Sequence, residues 1–323
     1  VKFRSTLVYF LIALVLTGFY FFDRSQRSLK KTAEEKAARV FEFQSDVLRN
    51  IVLAKGNEQI KIEKSGVSAP MEFWQITLPI QADTDPVLLN LFIIRLTELK
   101  SRRSFSADPD DPASFGLDKP SFSITCQTGE TTESLFFGSQ NPAGNAFYAR
   151  KGNANKIILI DIYDKEDLDQ ELFNLRDKRI FTFPADQVTR LVFTRESKTW
   201  TLIKKQKQWS LVGDPSLKID QGKVEGLLRR STWQQALSFE DEKALDLKPY
   251  GLDKPQSIFT LSDGILSEQL LIGNPYPNEA LNKTYAHIKG KHQVITINTS
   301  FVASLPNSIA ELHAKPSIGP VRK

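Results

Sequence analysis

The chain has 323 residues, 41% of them hydrophobic and 25% charged. That is enough material for about two globular domains and excludes wholesale disorder. A formal charge of +5 is only mildly basic; nucleic-acid binding asks for a clustered basic face interleaved with aromatics, and the double arginines Arg102-Arg103 and Arg229-Arg230 read instead as solvated helix ends. Cys126 is the only cysteine, so no intrachain disulfide can form.

The first predicted element is an apolar run, LVYFLIALVLTGFYFF, over residues 7–22. Sixteen residues at helical rise span roughly 24 Å, and Phe3 and Thr6 extend the run toward the thickness of a bilayer core. Arg4 can snorkel to the headgroups. Phe19, Tyr20, Phe21 and Phe22 end the run with rings, as an interfacial belt does. No small-x-small cleavage site follows, so the reading is an uncleaved anchor over residues 1–22 that spans the bilayer through residues 3–22. The basic residues that follow it, from Arg24 to Lys36, oppose export by the positive-inside rule. Long domains nevertheless translocate regardless of charge, and an extracytoplasmic bulk is expected. Residues 23–39 are rich in Lys, Glu and Ala and predict a charged helical stalk.

Beyond the stalk the chain is written twice. Phe115-Gly116-Leu117-Asp118-Lys119-Pro120 and Tyr250-Gly251-Leu252-Asp253-Lys254-Pro255 stand 135 positions apart. Trp74 recurs as Trp209, Gly138 as Gly273 and Pro142 as Pro277 at that offset; Tyr148-Ala149 recurs two residues late as Tyr285-Ala286. This self-similarity predicts tandem homologous units, 40–175 and 176–311, with 312–323 as a loose tail. In the first unit, strands are expected over 51–54, 59–63 and 72–77, followed by a helix over 85–99 capped by Asp83 or Thr84. Its Leu88, Leu89, Phe92, Ile93 and Leu96 recur at helical spacing. The second unit repeats the order with strands over 191–194, 200–204 and 209–212 and a helix over 220–233 with Val224, Leu227 and Leu228 inward. Acidic linkers, 106–114 and 240–249, lead into the repeated hexapeptide. Strands over 121–127, 134–137, 146–150 and 156–160 close the first unit, and 257–262, 269–272, 284–288 and 293–297 close the second. Each unit is therefore α+β, an antiparallel meander sheet with one main helix.

The hexapeptide reads as a stop-and-turn. Glycine admits positive φ, Leu117 or Leu252 pins the turn to the core, and proline fixes φ while holding its predecessor extended. Asp118 and Asp253 form a duplicated carboxylate pair of the kind that general acid–base hydrolysis uses. No His, Ser or Cys recurs with them, and they are assigned to the turn. No phosphate-binding glycine loop is present. His287 and His292 flank a Lys-Gly-Lys turn without the spacing or cysteine partners of a zinc site, and His313 stands apart. Asp108, Asp110 and Asp111 form a short acidic cluster broken by proline, unlike a calcium loop. Cys126 falls where Leu261 stands in the other copy and reads as a buried strand residue. Trp74 and Trp209 read as core anchors. The acceptor patterns Asn282-Lys283-Thr284 and Asn298-Thr299-Ser300 are common by chance.

The aromatic-ended anchor, the tandem units and the FGLDKP and YGLDKP strings together resemble the DUF4340 family of bacterial membrane-anchored proteins. The resemblance covers nearly the whole chain and is most specific at residues 115–120, 250–255, Gly138 and Gly273. It implies an extracytoplasmic accessory protein on the bacterial inner membrane, associated with ABC transporter components of the gliding-motility type. It supplies no catalytic residues, cofactor or metal. The expected function is non-enzymatic: binding to a transporter permease or ATPase, or to other envelope proteins. The alternatives are an envelope module that binds glycan or lipid in an apolar groove, for which the 22 phenylalanines provide material, and, last, a hydrolase using Asp118 or Asp253.

Overall fold

The computed structural model describes residues 14, 16, 17, 19–24, 35–68, 71–106, 112–129 and 131–314. It divides the chain into two compact units, Val1–Asp177 and Lys178–Lys323. The Asp108, Asp110 and Asp111 cluster lies outside the described residues, as do residues 25–34 of the stalk and most of the apolar run. Among the described residues no helix is long and apolar enough to cross a membrane.

The first unit contains β1 (Leu48–Lys55), β2 (Glu58–Ser68), β3 (Met71–Leu78), β4 (Ala82–Asp83), helix α1 (Pro86–Glu98), β5 (Arg103–Ser106), β6 (Phe122–Thr128), β7 (Thr132–Gln140), β8 (Ala146–Lys151) and β9 (Lys156–Asp161). Two short helices follow, α2 (Ile162–Leu168) and α3 (Leu172–Leu175). The strands form one nine-stranded sheet in the order β4-β3-β2-β1-β6-β7-β8-β9-β5. The second unit contains β10 (Arg190–Arg195), β11 (Lys198–Lys205), β12 (Gln208–Leu211), α4 (Gln221–Thr232), β13 (Ser238–Asp241), β14 (Ser257–Ser262), β15 (Ser267–Pro275), β16 (Lys283–Ile288), β17 (Val294–Asn298) and α5 (Thr299–Ala303). Its sheet runs β12-β11-β10-β14-β15-β16-β17-β13. Apart from β4, the two orders superimpose strand for strand, so the duplication extends to the whole topology.

Register repeats as well. Ile51 faces Ile62 on one side and Cys126 on the other; Leu191 faces Leu202 and Leu261 in the same way. β7 and β15 each slip register after Phe137 and Ile272, and the alternation of buried and exposed side chains along the two strands is identical. A one-residue slip would turn either hydrophobic set out of the core, which is why the bulge and the pattern travel together. Each sheet buries its own core: Phe41, Ile51, Ile124 and Phe137 with Leu89, Phe92 and Leu96 of α1 in the first unit, and Leu191, Phe193, Phe259 and Ile272 with Val224, Leu227 and Leu228 of α4 in the second.

The helix starts differ from expectation. α1 is capped by Asp85, not by Asp83 or Thr84: its carboxylate accepts from the N–H groups of Val87 and Leu88 at 3.0 Å each. Pro86 at the first helical position needs no hydrogen bond for its nitrogen, which fixes the start one residue later. Asp220 caps α4 through Lys223 N–H at 3.1 Å, and it stands 135 positions after Asp85. The caps are thus a further repeated landmark. Asp85→Ala and Asp220→Ala are each expected to lower the urea unfolding midpoint of their unit by an amount equivalent to about 1 kcal/mol.

Three further expectations are corrected. Arg102-Arg103 is not a helix end, because α1 stops at Glu98 and Arg103 opens β5 against β9. The acidic linker after α4 likewise begins with a strand, β13, paired to β17. The tail does not begin at Leu312: that residue is buried, its carbonyl accepts from Asp220 N–H at 2.8 Å, and Ala314 N–H donates to the Lys218 carbonyl at 3.0 Å. Residues 312–314 therefore belong to the second unit.

Candidate functional site

The repeated hexapeptide folds the same way in both units. A 3-10 turn, Ala113–Phe115 or Lys248–Tyr250, ends in a left-handed glycine, Gly116 at φ 67° or Gly251 at φ 68°. Leu117 N–H closes the turn onto the Pro112 carbonyl at 2.9 Å, and Leu252 N–H onto the Leu247 carbonyl at 3.0 Å. Both leucines are buried, at 2% and 1% exposure, while Asp118, Lys119, Asp253 and Lys254 face solvent. Pro120 and Pro255 are half-buried where the chain enters the next strand.

The turn docks against the bulge of the neighbouring strand, where there is no room for a side chain. A Cβ on Gly138 would overlap the Phe115 carbonyl oxygen and come within 3.1 Å of Gly116 C; one on Gly273 would overlap the Tyr250 carbonyl oxygen and come within 3.0 Å of Leu252 Cγ. Glycine, leucine and proline of the motif are thus each accounted for by the turn.

Over each turn sits a ring cluster, and here the copies diverge. In the first unit Phe115 meets Tyr148 edge-on at 5.0 Å and Phe105 at 5.8 Å. In the second, Tyr250 meets Tyr285 at 5.1 Å, and Tyr285 meets Tyr276 at 5.2 Å. Phe105 pairs with Ile157 on β9, and Asp241 pairs with Val294 on β17. With the two-residue insertion counted, those are equivalent positions. The Phe105–Phe115 ring contact of one copy is replaced in the other by a hydrogen bond from Tyr250 Oη to Asp241 Oδ2 at 3.2 Å. Burial and the Asp241 carboxylate raise the Tyr250 pKa; burial, with Tyr276 and Glu240 nearby, raises that of Tyr285. A raised phenol pKa means that the folded state holds the proton more tightly. The stability this contributes is complete below the ordinary value of 10.0 and is lost as pH rises through the raised value. Between about pH 9 and about pH 11, the urea midpoint of the native protein is expected to fall further than that of a Tyr250→Phe/Tyr285→Phe variant.

Most of the other residues singled out from the sequence and described by the structure are built into strands, caps or the core. Cys126 is fully buried on β6, and burial, with Glu133 across the pair, pushes its thiol up to about 12. Trp74 and Trp209 are core residues, each with a lysine over the ring, Lys64 at 5.9 Å and Lys204 at 5.7 Å. His287 Nδ1 shares a hydrogen bond with the Gln293 carbonyl at 2.9 Å, His292 is exposed in the following turn, and His313 bridges Ile219. Among the described residues no group of three or more His, Cys, Asp or Glu is placed to hold a metal ion. Asn298 caps α5 through Ser300 N–H at 2.8 Å, and Thr284 is buried with its hydroxyl on Thr299 at 2.9 Å.

Sequence reasoning did not single out a polar cleft in the first unit. About 320 Å³ in volume, it is lined by Arg39, Arg95, Glu98, Leu99, Lys100 and Asp164. Arg95 pairs with Asp167 at 3.4 Å, and Arg102 pairs with Asp161. Burial and the neighbouring Asp161 raise the Asp164 pKa, with Arg95 and Arg102 opposing the shift. The lining comes from three separate stretches, which is why no local motif announced it. The second unit holds an apolar void of about 10 Å³ beside Phe193, Trp200 and Ile309, too small for more than a single water.

The fold and the docked turns define a class: tandem antiparallel α+β units, each locked by a Gly-Leu-Asp-Lys-Pro turn seated on a strand bulge. A family model described as a domain of unknown function, DUF4340, matches residues 74–230 and again 209–317, and the chain belongs to that family. The two matches begin on the equivalent residues Trp74 and Trp209, so they recognise the same duplication. The first runs past the end of its compact unit and stops on α4. No curated protein matches the chain.

Proposed function

We propose that this protein is a non-enzymatic, membrane-tethered accessory subunit of an ABC transporter-type complex, with its duplicated units outside the cytoplasm of a bacterial cell. It acts by binding other proteins. The observation that carries the tether is the N-terminal helical stretch: Leu14, Leu16, Phe19, Tyr20, Phe21 and Phe22 are 57–68% exposed, an arrangement costly in water and favourable in lipid. The use of the repeated motif for turn geometry supports a scaffold rather than a reaction centre. Asp118 and Asp253 stand exposed on these turns.

The test is extraction of native membranes. The full chain is expected to stay with the membrane through high salt and alkaline carbonate and to leave it only in detergent. In intact spheroplasts, added protease is expected to remove both units. Release by carbonate would refute the tether, and protection from external protease would refute the orientation. A second reading, an envelope-ligand module, is favoured by the open polar cleft of the first unit.

A further inference from the structure

Helix α1 is apolar on both faces. Leu89, Phe92, Ile93 and Leu96 are buried against the sheet, yet Val87, Leu88, Leu91 and Ile94 are 66%, 41%, 53% and 40% exposed. A surface helix ordinarily carries polar residues there. The second copy has no apolar side chain there: at the positions equivalent to Val87, Leu88, Leu91 and Ile94, α4 has Gly222, Lys223, Gly226 and Arg229. Of the two equivalent helices, only α1, in the unit that follows the tether in sequence, carries an outward apolar stripe.

The stripe leads into the polar cleft. Leu91 and Arg95 are one helical turn apart, as are Ile94 and Glu98, so the last apolar residues adjoin the first charged ones. Arg39, Lys100 and Glu98 are exposed at the cleft, and Asp164 lies deeper. Tyr163, next in sequence to Asp164, is 73% exposed. The cleft offers two open cations for a phosphate and carboxylates for an ammonium group. Tether length fits as well: residues 23–38 separate Phe22 from Arg39, about 24 Å if helical and at most about 55 Å if extended.

We propose that the α1 face of the first unit seats on the bilayer surface, with Val87, Leu88, Leu91 and Ile94 entering the apolar margin and the cleft receiving a phosphorylated, amine-bearing lipid headgroup. The proposal rests on the tether reading and adds to it a second, interfacial contact. An apolar stripe with flanking cations is the signature of an interfacial helix, and an exposed tyrosine beside it suits the same boundary. The tether keeps the local concentration of bilayer high, so the contact can be weak individually and still be occupied.

The test uses the full chain reconstituted in vesicles of phosphatidylethanolamine and phosphatidylglycerol, with a fluorophore on Leu91→Cys. The buried Cys126 stays unlabelled in the folded protein, and Gly226→Cys on α4 provides the matched control. Brominated lipids are expected to quench the label at position 91 about threefold and the one at 226 not at all. Quenching is expected to fall in an Arg39→Ala/Lys100→Ala background and when phosphatidylcholine, which lacks ammonium hydrogen-bond donors, replaces phosphatidylethanolamine. A chain that co-floats with vesicles but leaves position 91 unquenched and open to aqueous quenchers would overturn the seat while leaving the tether intact. Shielding of position 91 only in native membranes, with crosslinks to another protein, would assign the stripe to a protein partner instead. Failure to co-float would remove the tether itself, and the seat with it.

Discussion

Gly138→Ala is expected to destabilise the first unit by about 3 kcal/mol or more, and Gly273→Ala the second by as much. The reason is local. The added methyl group would overlap the carbonyl oxygen of Phe115 or Tyr250. Neither oxygen can swing away, because each belongs to a turn closed by backbone hydrogen bonds on both sides, from Leu117 and Ser121 in one copy and Leu252 and Gln256 in the other. Relief requires lifting the turn off the bulge, which exposes the leucine beneath it. Gly66 is the control: a Cβ there meets nothing within 4 Å, so Gly66→Ala should leave the midpoint within about 0.5 kcal/mol of the native value. Urea unfolding followed by intrinsic fluorescence, with Trp74 in the first unit's core and Trp209 in the second's, reports the differences. A Gly138→Ala protein as stable as the native one would refute the docking geometry.

The second large effect separates the leucine of the motif from its aspartate. Leu117→Ala and Leu252→Ala remove side chains that are 2% and 1% exposed and should each cost about 2–5 kcal/mol. Asp118→Asn and Asp253→Asn alter groups that face solvent and should stay within about 0.5 kcal/mol. The contrast bears on function as well as stability. If the aspartates were catalytic, their amides would fold normally and abolish the protein's role in the cell. The scaffold reading expects the double Asp118→Asn/Asp253→Asn protein to complement a deletion fully, whereas either leucine variant complements poorly because its unit is partly unfolded.

The sequence disclosed more of the architecture than of the site. The strands forming the middle of each sheet were legible because burial on one face imposes alternation, and α4 because its apolar positions fall on one side. The edge strands β5 and β13 were not. Arg103 and Ser104 beside Phe105, and Glu240 and Asp241 beside Phe239, are polar, as edge strands commonly are, and they read as helix end and linker. Hairpin turns in the second unit were hidden for a different reason. Glu196-Ser197 and Gln206-Lys207 take φ of 48–65° without the glycine or asparagine that normally announces such a turn. Asp85 was missed as the cap because the apolar spacing drew it into the helix as its first residue, whereas Pro86 occupies that position and leaves Asp85 to cap.

The cleft and the outward stripe of α1 illustrate the larger gap. Val87, Leu88, Leu91 and Ile94 lie in a run so apolar that spacing alone could not separate the buried face from the exposed one. Only with the helix seated on the sheet do they emerge as surface. Arg39 and Lys100 are distant in sequence and become neighbours through an antiparallel bridge. The exchange of Phe115 for Tyr250 was plain in the sequence, but its partner was not: only register showed Asp241 standing where Phe105 stands. The fold is repeated, but the surfaces it presents are not.

The measurement closest to the central claim is affinity purification of the full-length protein from native membranes in mild detergent, with mass spectrometry of what co-elutes. The account predicts transporter permease and ATPase subunits in stoichiometric yield, retained when Asp118 and Asp253 are changed to asparagine. Recovery of the protein alone, or with bound lipid or glycan and no protein partner, would contradict it.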